Sequence, residues 1–237
     1  MGWVGSLMAR TIVIGDIHGC YDELVDLLEK ENFASNDHVV SVGDLIVKGP
    51  KSKEVLDLFS NDPRFSSVIG NHDLKVLSFW KGKDDVFVKD LHKQVCLELE
   101  SEKGRYAAYL DSLPYMLNLN SHVVVHAGVR PGIPLANQLP QDLIELRTLG
   151  DDRTSREGIP WYEQYDGGPT ILFGHWPFPE PRKSRNAIGL DTGCVYGHQL
   201  SAYVLETNEF IQVRARQIYE PPGPGFKQDL ANSLNLK

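Results

Sequence analysis

The chain has 237 residues, of which 41% are apolar, so it is long enough to bury one large α/β core but short for two ordinary domains. Its formal net charge of −8 argues against a surface that coats nucleic acid, because such binding needs clustered cations. Three scattered cysteines lack CxxC spacing, and no stretch approaches the roughly 20 apolar residues of a membrane span. We therefore expect a cytoplasmic protein that binds neither a membrane nor, stably, a nucleic acid.

The first part of the chain alternates between strand and helix patterns. Short β-branched runs that lead into loops with polar side chains predict six buried strands, at 11–15, 38–43, 66–70, 122–125, 170–174 and 187–190. Between the first two runs, residues 21–31 carry Leu24, Leu27 and Leu28 at helical spacing, and residues 52–59 repeat this pattern. Strands separated by helices predict βαβ units, whose loops collect side chains at the carboxyl ends of the strands.

The composition of the other segments predicts how they are arranged around this core. Residues 74–113 mix charged and apolar positions and are predicted to form a helical cap inserted between the third and fourth strands. Residues 129–169 are rich in Pro, Gly and acids, which is typical of loops and short helices. Residues 200–205 and 209–216 predict a hairpin that finishes a second sheet. We therefore expect a leader at 1–9, a single domain at 10–218 and a mobile tail at 219–237.

Polar side chains of the metal-ligand type follow most of the predicted strands. A single histidine in such a place is usually a hydrogen-bonded structural residue, but coincidence at four strand ends is much less common. The candidate donors are Asp16, His18, Asp44, Asn71, His72, His126 and His175. Oxygen and imidazole donors without thiolates suit manganese, iron or zinc, whereas several imidazoles make magnesium a poorer match. Seven groups exceed what one ion binds, so the sequence predicts a bridged pair of ions about 3.5–4 Å apart.

Five sequence blocks occur in a recognisable order in the part of the chain from residue 15 to residue 198. They are Gly15-Asp16-Ile17-His18-Gly19, Gly43-Asp44 with Lys48-Gly49-Pro50, Gly70-Asn71-His72-Asp73, His126-Ala127-Gly128 and Gly174-His175-Trp176. Together they resemble the calcineurin-like metallophosphoesterases of the phosphoprotein-phosphatase superfamily. The motifs GDLIVKGP at 43–50 and LDTGC at 190–194 resemble most closely the symmetrical diadenosine tetraphosphatases, which are ApaH-like phosphatases.

This resemblance implies an α/β fold in which helices flank a sandwich of two mixed β-sheets. It also implies that Asp16 and His18 hold one divalent cation and that Asp44 bridges this ion to a second one. The other implied ligands of the second ion are Asn71, His126 and His175. A hydroxide between the ions is then the implied nucleophile, and manganese is the expected metal, with iron and zinc as alternatives.

Further residues receive roles in the chemistry. His72 matches the general acid that protonates the leaving group, a role suited to imidazole near neutral pH. Val47 stands where protein phosphatases of the family carry an acid that orients this histidine, so Asp73 or a water molecule would have to replace that acid. Lys48 and Arg147 are candidates to neutralise phosphate oxygens, Lys48 as a point charge and Arg147 by binding two oxygens at once.

The expected function is hydrolysis of a phosphoric anhydride, such as a dinucleoside tetraphosphate, and the expected partner is a phosphorylated small molecule or nucleotide. Close alternatives share the same site: a serine/threonine phosphoprotein phosphatase, a polyphosphate endohydrolase and an RNA 5′-cap hydrolase. An alternative from another class is a catalytically inactive scaffold that binds nucleotides. Trp161, Tyr162 and Tyr165 either provide stacking faces for a nucleobase or pack in the protein interior. The sequence does not indicate the oligomeric state.

Overall fold

The computed structural model describes residues 9–83 and 88–234, except for the side chains of 232–234. Its strands are β1 (Thr11–Ile14), β2 (His38–Ser41), β3 (Phe65–Ser67), β4 (Met116–Leu119), β5 (His122–Val125), β6 (Thr148–Leu149), β7 (Ile159–Pro160), β8 (Thr170–Phe173), β9 (Arg182–Lys183), β10 (Ala187–Gly189), β11 (Gln199–Val204) and β12 (Glu209–Arg214). Its helices are α1 (Tyr21–Lys30), α2 (Ser52–Asn61), α3 (Asn71–Trp80), α4 (Asp90–Glu98), α5 (Lys103–Ser112), α6 (Pro140–Glu145), α7 (Trp161–Gln164) and α8 (Pro224–Leu234). None of the described helices is long and apolar enough to cross a membrane.

The first five-stranded sheet has the order β12–β11–β1–β2–β3. β1, β2 and β3 run parallel to one another, and α1 and α2 form the crossovers between them. α1 faces the sheet with Leu24 and Leu27, which are buried together with Ile12 and Ile14 of β1. Because the three strands are parallel, the loops that follow them lie side by side at the carboxyl ends of the strands.

The second five-stranded sheet has the order β4–β5–β8–β10–β9, and a separate pair is formed by β6 and β7. β5, β8 and β10 are parallel, whereas the two edge strands are antiparallel to their neighbours. Val13 and Val40 of the first sheet share a buried cluster with Val124, Leu172 and Ile188 of the second. The two sheets therefore pack face to face, and this confirms the predicted sandwich of mixed sheets.

The predicted hairpin exists as β11 and β12, but the prediction that it finishes a second sheet was wrong. β11 pairs antiparallel with β1, and Val204 lies opposite Ile12. β2 covers only one edge of β1, so the other edge is available to β11. Leu200, Ala202 and Val204 then complete the buried cluster under the helices of the first sheet.

The predicted cap consists of α3, α4 and α5, and both later helices pack against α3. It begins earlier than residue 74, because α3 begins at Asn71. Residues 84–87 of the cap and residues 1–8 of the leader lie outside the described residues. The segment predicted to be a mobile tail contains α8, whose Phe226 is buried beside Gly193 and Tyr196. The described part of this segment therefore packs on the domain.

Candidate active site

Three of the predicted metal ligands have a backbone conformation that residues other than glycine rarely adopt. The φ angle is +48° at His18, +52° at Asp44 and +66° at His175, in loops that follow β1, β2 and β8. Such a conformation costs on the order of 1–3 kcal/mol per residue, and it concentrates at functional sites. The surrounding fold therefore holds these three side chains in strained positions that bring them together.

Asp16, His18 and Asp44 form one half of the candidate site, and all three are buried. Nε2 of His18 lies 3.9 Å from Oδ2 of Asp16 and 3.4 Å from Oδ2 of Asp44. Nδ1 of His18 lies 3.2 Å from the carbonyl oxygen of Ile46, which favours a proton on Nδ1. The lone pair of Nε2 then accepts a hydrogen bond from Nζ of Lys48 at 2.9 Å, beside the two carboxylates. A backbone carbonyl commonly orients a metal-binding imidazole in this way.

Asn71, His126 and His175 form the other half. Oδ1 of Asn71 lies 3.0 Å from Nε2 of His126 and 3.2 Å from Nδ1 of His175. The carbonyl oxygen of Val42, 2.9 Å from Nδ1 of His126, favours the tautomer in which the Nε2 lone pair faces Asn71. Oδ1 of Asp44 lies 3.5 Å from Nε2 of His126, whereas Oδ2 of Asp44 faces the first half. The Asp44 carboxylate therefore lies between the two halves.

The donor set fits a pair of divalent cations. Burial and repulsion from Asp191 and Asp44 raise the pKa of Asp16 well above its usual value, and burial raises the pKa of Asp44 to about 6. Nε2 of His175 is buried and has no hydrogen-bond partner among the described residues. Positive ions between these groups would stabilise the ionised carboxylates and satisfy the imidazole. The structure thus brings all six predicted ligands together, and their assignment to metal ions stays a prediction.

Gly70 lies against Asp44, and a Cβ at Gly70 would overlap the backbone nitrogen and Oδ1 of Asp44. We expect Gly70→Ala to lower the free energy of unfolding by about 1–3 kcal/mol. It should also lower the turnover of p-nitrophenyl phosphate, because Asp44 must move. Chemical denaturation and a steady-state assay measure the two effects.

Gly104→Ala is the matched control for this substitution. A Cβ at Gly104, in α5, would meet no described atom within 4 Å. This variant should raise the free energy of unfolding by about 0.5–1 kcal/mol and leave turnover unchanged. If Gly70→Ala kept the full turnover of the parent protein, the placement of Asp44 in the site would be contradicted.

A cavity of about 110 Å³ opens beside the donors and is lined in part by Lys48, Arg147 and Arg156. Burial and the neighbouring Arg156 lower the pKa of Arg147 to about 10, so its guanidinium remains charged at neutral pH. Nη1 of Arg147 donates to the carbonyl oxygen of Thr154 at 2.8 Å, and Nη1 of Arg156 lies 3.2 Å from a carboxylate oxygen of Asp229. Three cationic side chains thus line the cavity together with the carboxylates of Asp44 and Asp191.

His72 also lines the cavity, and its neighbour is a residue that the sequence did not indicate. The carboxylate of Asp73, one of the two replacements considered, accepts hydrogen bonds from three backbone N–H groups at 3.1–3.3 Å. The carboxylate of Asp73 is therefore bound by the backbone rather than by His72. Nδ1 of His72 instead lies 3.0 Å from Nε2 of His92 in α4.

The aromatic residues of the 129–169 segment pack in the interior. Trp161 is fully buried, its Nε1 donates to the carbonyl oxygen of Ala127 at 3.1 Å, and its ring centroid lies 4.9 Å from that of Phe173. Tyr165 is 7% exposed, and Tyr162 stacks on Phe173 at 5.6 Å. Of the two interpretations of these aromatics, the structure therefore supports packing rather than free stacking faces.

Sequence reasoning missed Arg156 and His92. Arg156 lies in a segment that reads as loop and contains no motif, and His92 follows no strand and has no ligand-type neighbour. Neither residue carries a local signal, because only tertiary packing brings Arg156 to the cavity and His92 to His72.

The chain is similar to known phosphoesterases in sequence and in fold. The family model for calcineurin-like phosphoesterase matches residues 9–209. The chain is 29% identical to the symmetrical bis(5′-nucleosyl)-tetraphosphatase of Vibrio campbellii, over 81% of this chain and 93% of the relative. It is 31% identical to the asymmetrical bis(5′-nucleosyl)-tetraphosphatase PrpE of Halalkalibacterium halodurans, over 86% of this chain and 94% of the relative.

A solved structure has a similar fold. It is provisionally described as a diadenosine tetraphosphatase, and it superposes with a TM-score of 0.74 at 32% identity, covering 90% of this chain and 96% of that chain. The family match includes every motif on which the resemblance rested, and it confirms that resemblance. The chain is an enzyme that depends on divalent metal ions, and it belongs to the calcineurin-like phosphoesterase family.

Proposed function

We propose that this enzyme hydrolyses bis(5′-nucleosyl) tetraphosphates and uses two divalent cations, with manganese preferred over iron and zinc. One observation carries the proposal: two buried carboxylates, three imidazoles and one amide converge beside a cavity lined by three cationic side chains. The substrate class is supported by the relatives, whose names describe symmetrical and asymmetrical tetraphosphatases.

The proposed division of ligands follows the two halves of the site. Asp44 would bind both ions, since Oδ2 faces His18 and Oδ1 faces His126. The other proposed ligands are Asp16 and His18 for one ion and Asn71, His126 and His175 for the other. Bound together, two such ions lower the pKa of a water molecule and neutralise charge on the transferred phosphoryl group. The strained backbone and the carbonyl-bound imidazoles fix the donors in advance, which limits their rearrangement on binding.

The cavity suits the phosphate part of the substrate rather than the whole dinucleotide. Its volume of about 110 Å³ is well below the roughly 300–1,000 Å³ of a pocket that encloses a drug-sized ligand. Positive charge is supplied at this place by Lys48, Arg147 and Arg156. Nε of Arg147 is buried and has no hydrogen-bond partner among the described residues. Phosphate oxygens would pair with these groups, while the two nucleosides lie outside the cavity.

His72 is the proposed general acid for the leaving group. Burial and the charge of Lys48 lower the pKa of His72 well below its usual value, so its ring is neutral before substrate binds. The negative charge of a bound polyphosphate opposes the effect of Lys48 and favours the protonated ring. The substrate itself would thus bring His72 into the form that can donate a proton.

The proposed compartment is the cytoplasm. The three cysteines are free and buried, which suits a reducing environment.

Parallel assays with diadenosine tetraphosphate, a phosphoserine peptide, polyphosphate and capped RNA test the proposed function. We expect the tetraphosphate to give the highest kcat/KM in the presence of Mn²⁺, and we expect EDTA to abolish turnover. Chromatography of the products distinguishes release of two nucleoside diphosphates from release of a triphosphate and a monophosphate.

Other outcomes would assign the protein differently. Turnover of the phosphopeptide without turnover of any anhydride would support a phosphoprotein phosphatase. Binding of the tetraphosphate without chelator-sensitive hydrolysis of any substrate would support the inactive scaffold. Either result would refute the proposed function.

A further inference from the structure

His92 is a buried histidine of the cap that contacts His72, one of the residues lining the cavity. It is 1% exposed, and its ring is nearly parallel to that of His72, with centroids 5.0 Å apart and an interplanar angle of 12°. Nε2 of His92 lies 3.0 Å from Nδ1 of His72. Two neutral imidazoles in this contact share one proton, so one nitrogen donates and the other accepts.

The surroundings of His92 indicate the direction of this hydrogen bond. Burial lowers the pKa of His92 to about 4, so the ring is neutral and carries one proton. The carbonyl group of Lys89 favours a proton on His92, although Nδ1 of His92 makes no well-formed hydrogen bond to a described residue. With this proton assigned to Nδ1, on the side of the Lys89 carbonyl, Nε2 carries none and faces His72. Nε2 of His92 is then an acceptor, and Nδ1 of His72 donates to it.

Asp73, which the sequence suggested for orienting His72, is not suited to that task, and neither is Val47, which stands at the position of the family's acid. The Asp73 carboxylate is occupied by backbone N–H groups, and Val47 has no polar side-chain atom. With Nδ1 bound to His92, Nε2 is the nitrogen of His72 that remains for the cavity. The cap brings this about, because α4 packs against α3, which begins at Asn71 and carries His72.

We propose that His92 is a positioning residue, which accepts a hydrogen bond from Nδ1 of His72 and thereby holds Nε2 of His72 toward the substrate phosphate. The inference rests on the proposed role of His72 as the general acid. It assigns to the cap a part in positioning the proposed general acid.

His92→Phe removes the acceptor and keeps a flat ring of similar size. We expect its kcat for an alkyl phosphate to fall on the order of 10- to 100-fold, the range for residues that orient a functional histidine. The loss for p-nitrophenyl phosphate should be much smaller, because its leaving group needs no proton. The content of bound metal should not change. His92→Gln offers an amide oxygen at similar reach, and it should recover part of the lost rate.

His122→Phe is the matched control, since His122 lies at the start of β5 beside Tyr203 and does not line the cavity. It should leave the ratio of the two rates unchanged. Equal losses for both phosphates in His92→Phe, or no loss at all, would overturn the inference.

A double variant separates this inference from the proposed function. If His72→Asn lowers the rate and adding His92→Phe lowers it no further, His92 acts through His72. If the two losses multiply, His92 acts independently and the inference fails while the acid role of His72 stands. If His72→Asn alone leaves both rates unchanged, the proposed acid role fails first, and the positioning role fails with it.

Discussion

The variant Asp44→Asn should lose about 10³-fold or more of its turnover of diadenosine tetraphosphate, because metal-ion stabilisation of transition-state charge is worth several kcal/mol. Asp44 presents Oδ2 at 3.4 Å from His18 and Oδ1 at 3.5 Å from His126. Asparagine has the same size, but it offers one oxygen and no negative charge. It therefore cannot connect the two halves of the site. Steady-state assays and metal analysis of the purified variant measure the two losses.

The substitution Asp44→Asn should not destabilise the folded state of the protein. Oδ1 of Asp44 accepts a hydrogen bond from the backbone N–H of His72 at 2.9 Å, and the asparagine oxygen can keep it. The substitution also removes a buried negative charge that repels Asp16 and Asp191. We expect an equal or higher melting temperature without metal, and a smaller increase on addition of Mn²⁺ than in the parent protein. Calorimetry with and without Mn²⁺ measures both.

Asp111→Asn is the control for this change. Asp111 pairs with Lys81 at the surface of the cap, and exposed ion pairs contribute only about 0–1 kcal/mol. Its turnover and metal content should equal those of the parent protein. If Asp44→Asn itself kept full turnover and full metal content, the two-ion account would have to be abandoned.

The variant His72→Asn should keep its metal and lose about 10²- to 10⁴-fold of its rate on a substrate with a poor leaving group. The reason is that Asn71, the adjacent candidate ligand, is left in place, whereas the proton donor is removed. The loss should be smaller for p-nitrophenyl phosphate, whose leaving group is already acidic. Rates with this substrate and with an alkyl phosphate, measured beside metal content, test the prediction.

A second role for His72 is possible on geometry and is decided by the same experiment. One nitrogen of His72 lies within 4.8 Å of ligand atoms of His18 and Asp44, so His72 could itself bind an ion. Loss of one ion from His72→Asn would assign it as a ligand, and equal losses with both substrates would refute the acid role. His38→Asn, at the exposed start of β2, is the control and should match the parent protein.

The strands and the donors were predictable because both depend on local sequence. Asp16, Asp44 and His126 each lie within a few residues of the end of a buried apolar run, and the run alone predicts a strand. Since parallel strands of one sheet end on the same side, local order is enough to predict that Asp16 and Asp44 meet. His126 follows β5 of the second sheet, and it joins them because the two sheets pack face to face. The structure places them together, as the distances around Asp44 show.

Tertiary packing determined what the sequence could not predict. The hairpin joins the first sheet because β2 leaves one edge of β1 free, where β11 pairs. The sequence of β11 does not indicate which strand it will pair with. His92 becomes a neighbour of His72 only when α4 packs on α3. Arg156 reaches the cavity from a loop in which nothing distinguishes it from a surface arginine. Aromatic residues in such a loop segment more often pack in the core than stack on a nucleobase, and the burial of Trp161 and Tyr165 agrees with packing.

The convergence of six donors on two cations is tested most directly by anomalous diffraction from a crystal of this protein soaked in manganese. The account predicts two anomalous peaks about 3.5–4 Å apart, with the carboxylate of Asp44 reaching both. A single peak, or peaks at a distance from Asp16, His18, Asn71, His126 and His175, would contradict it.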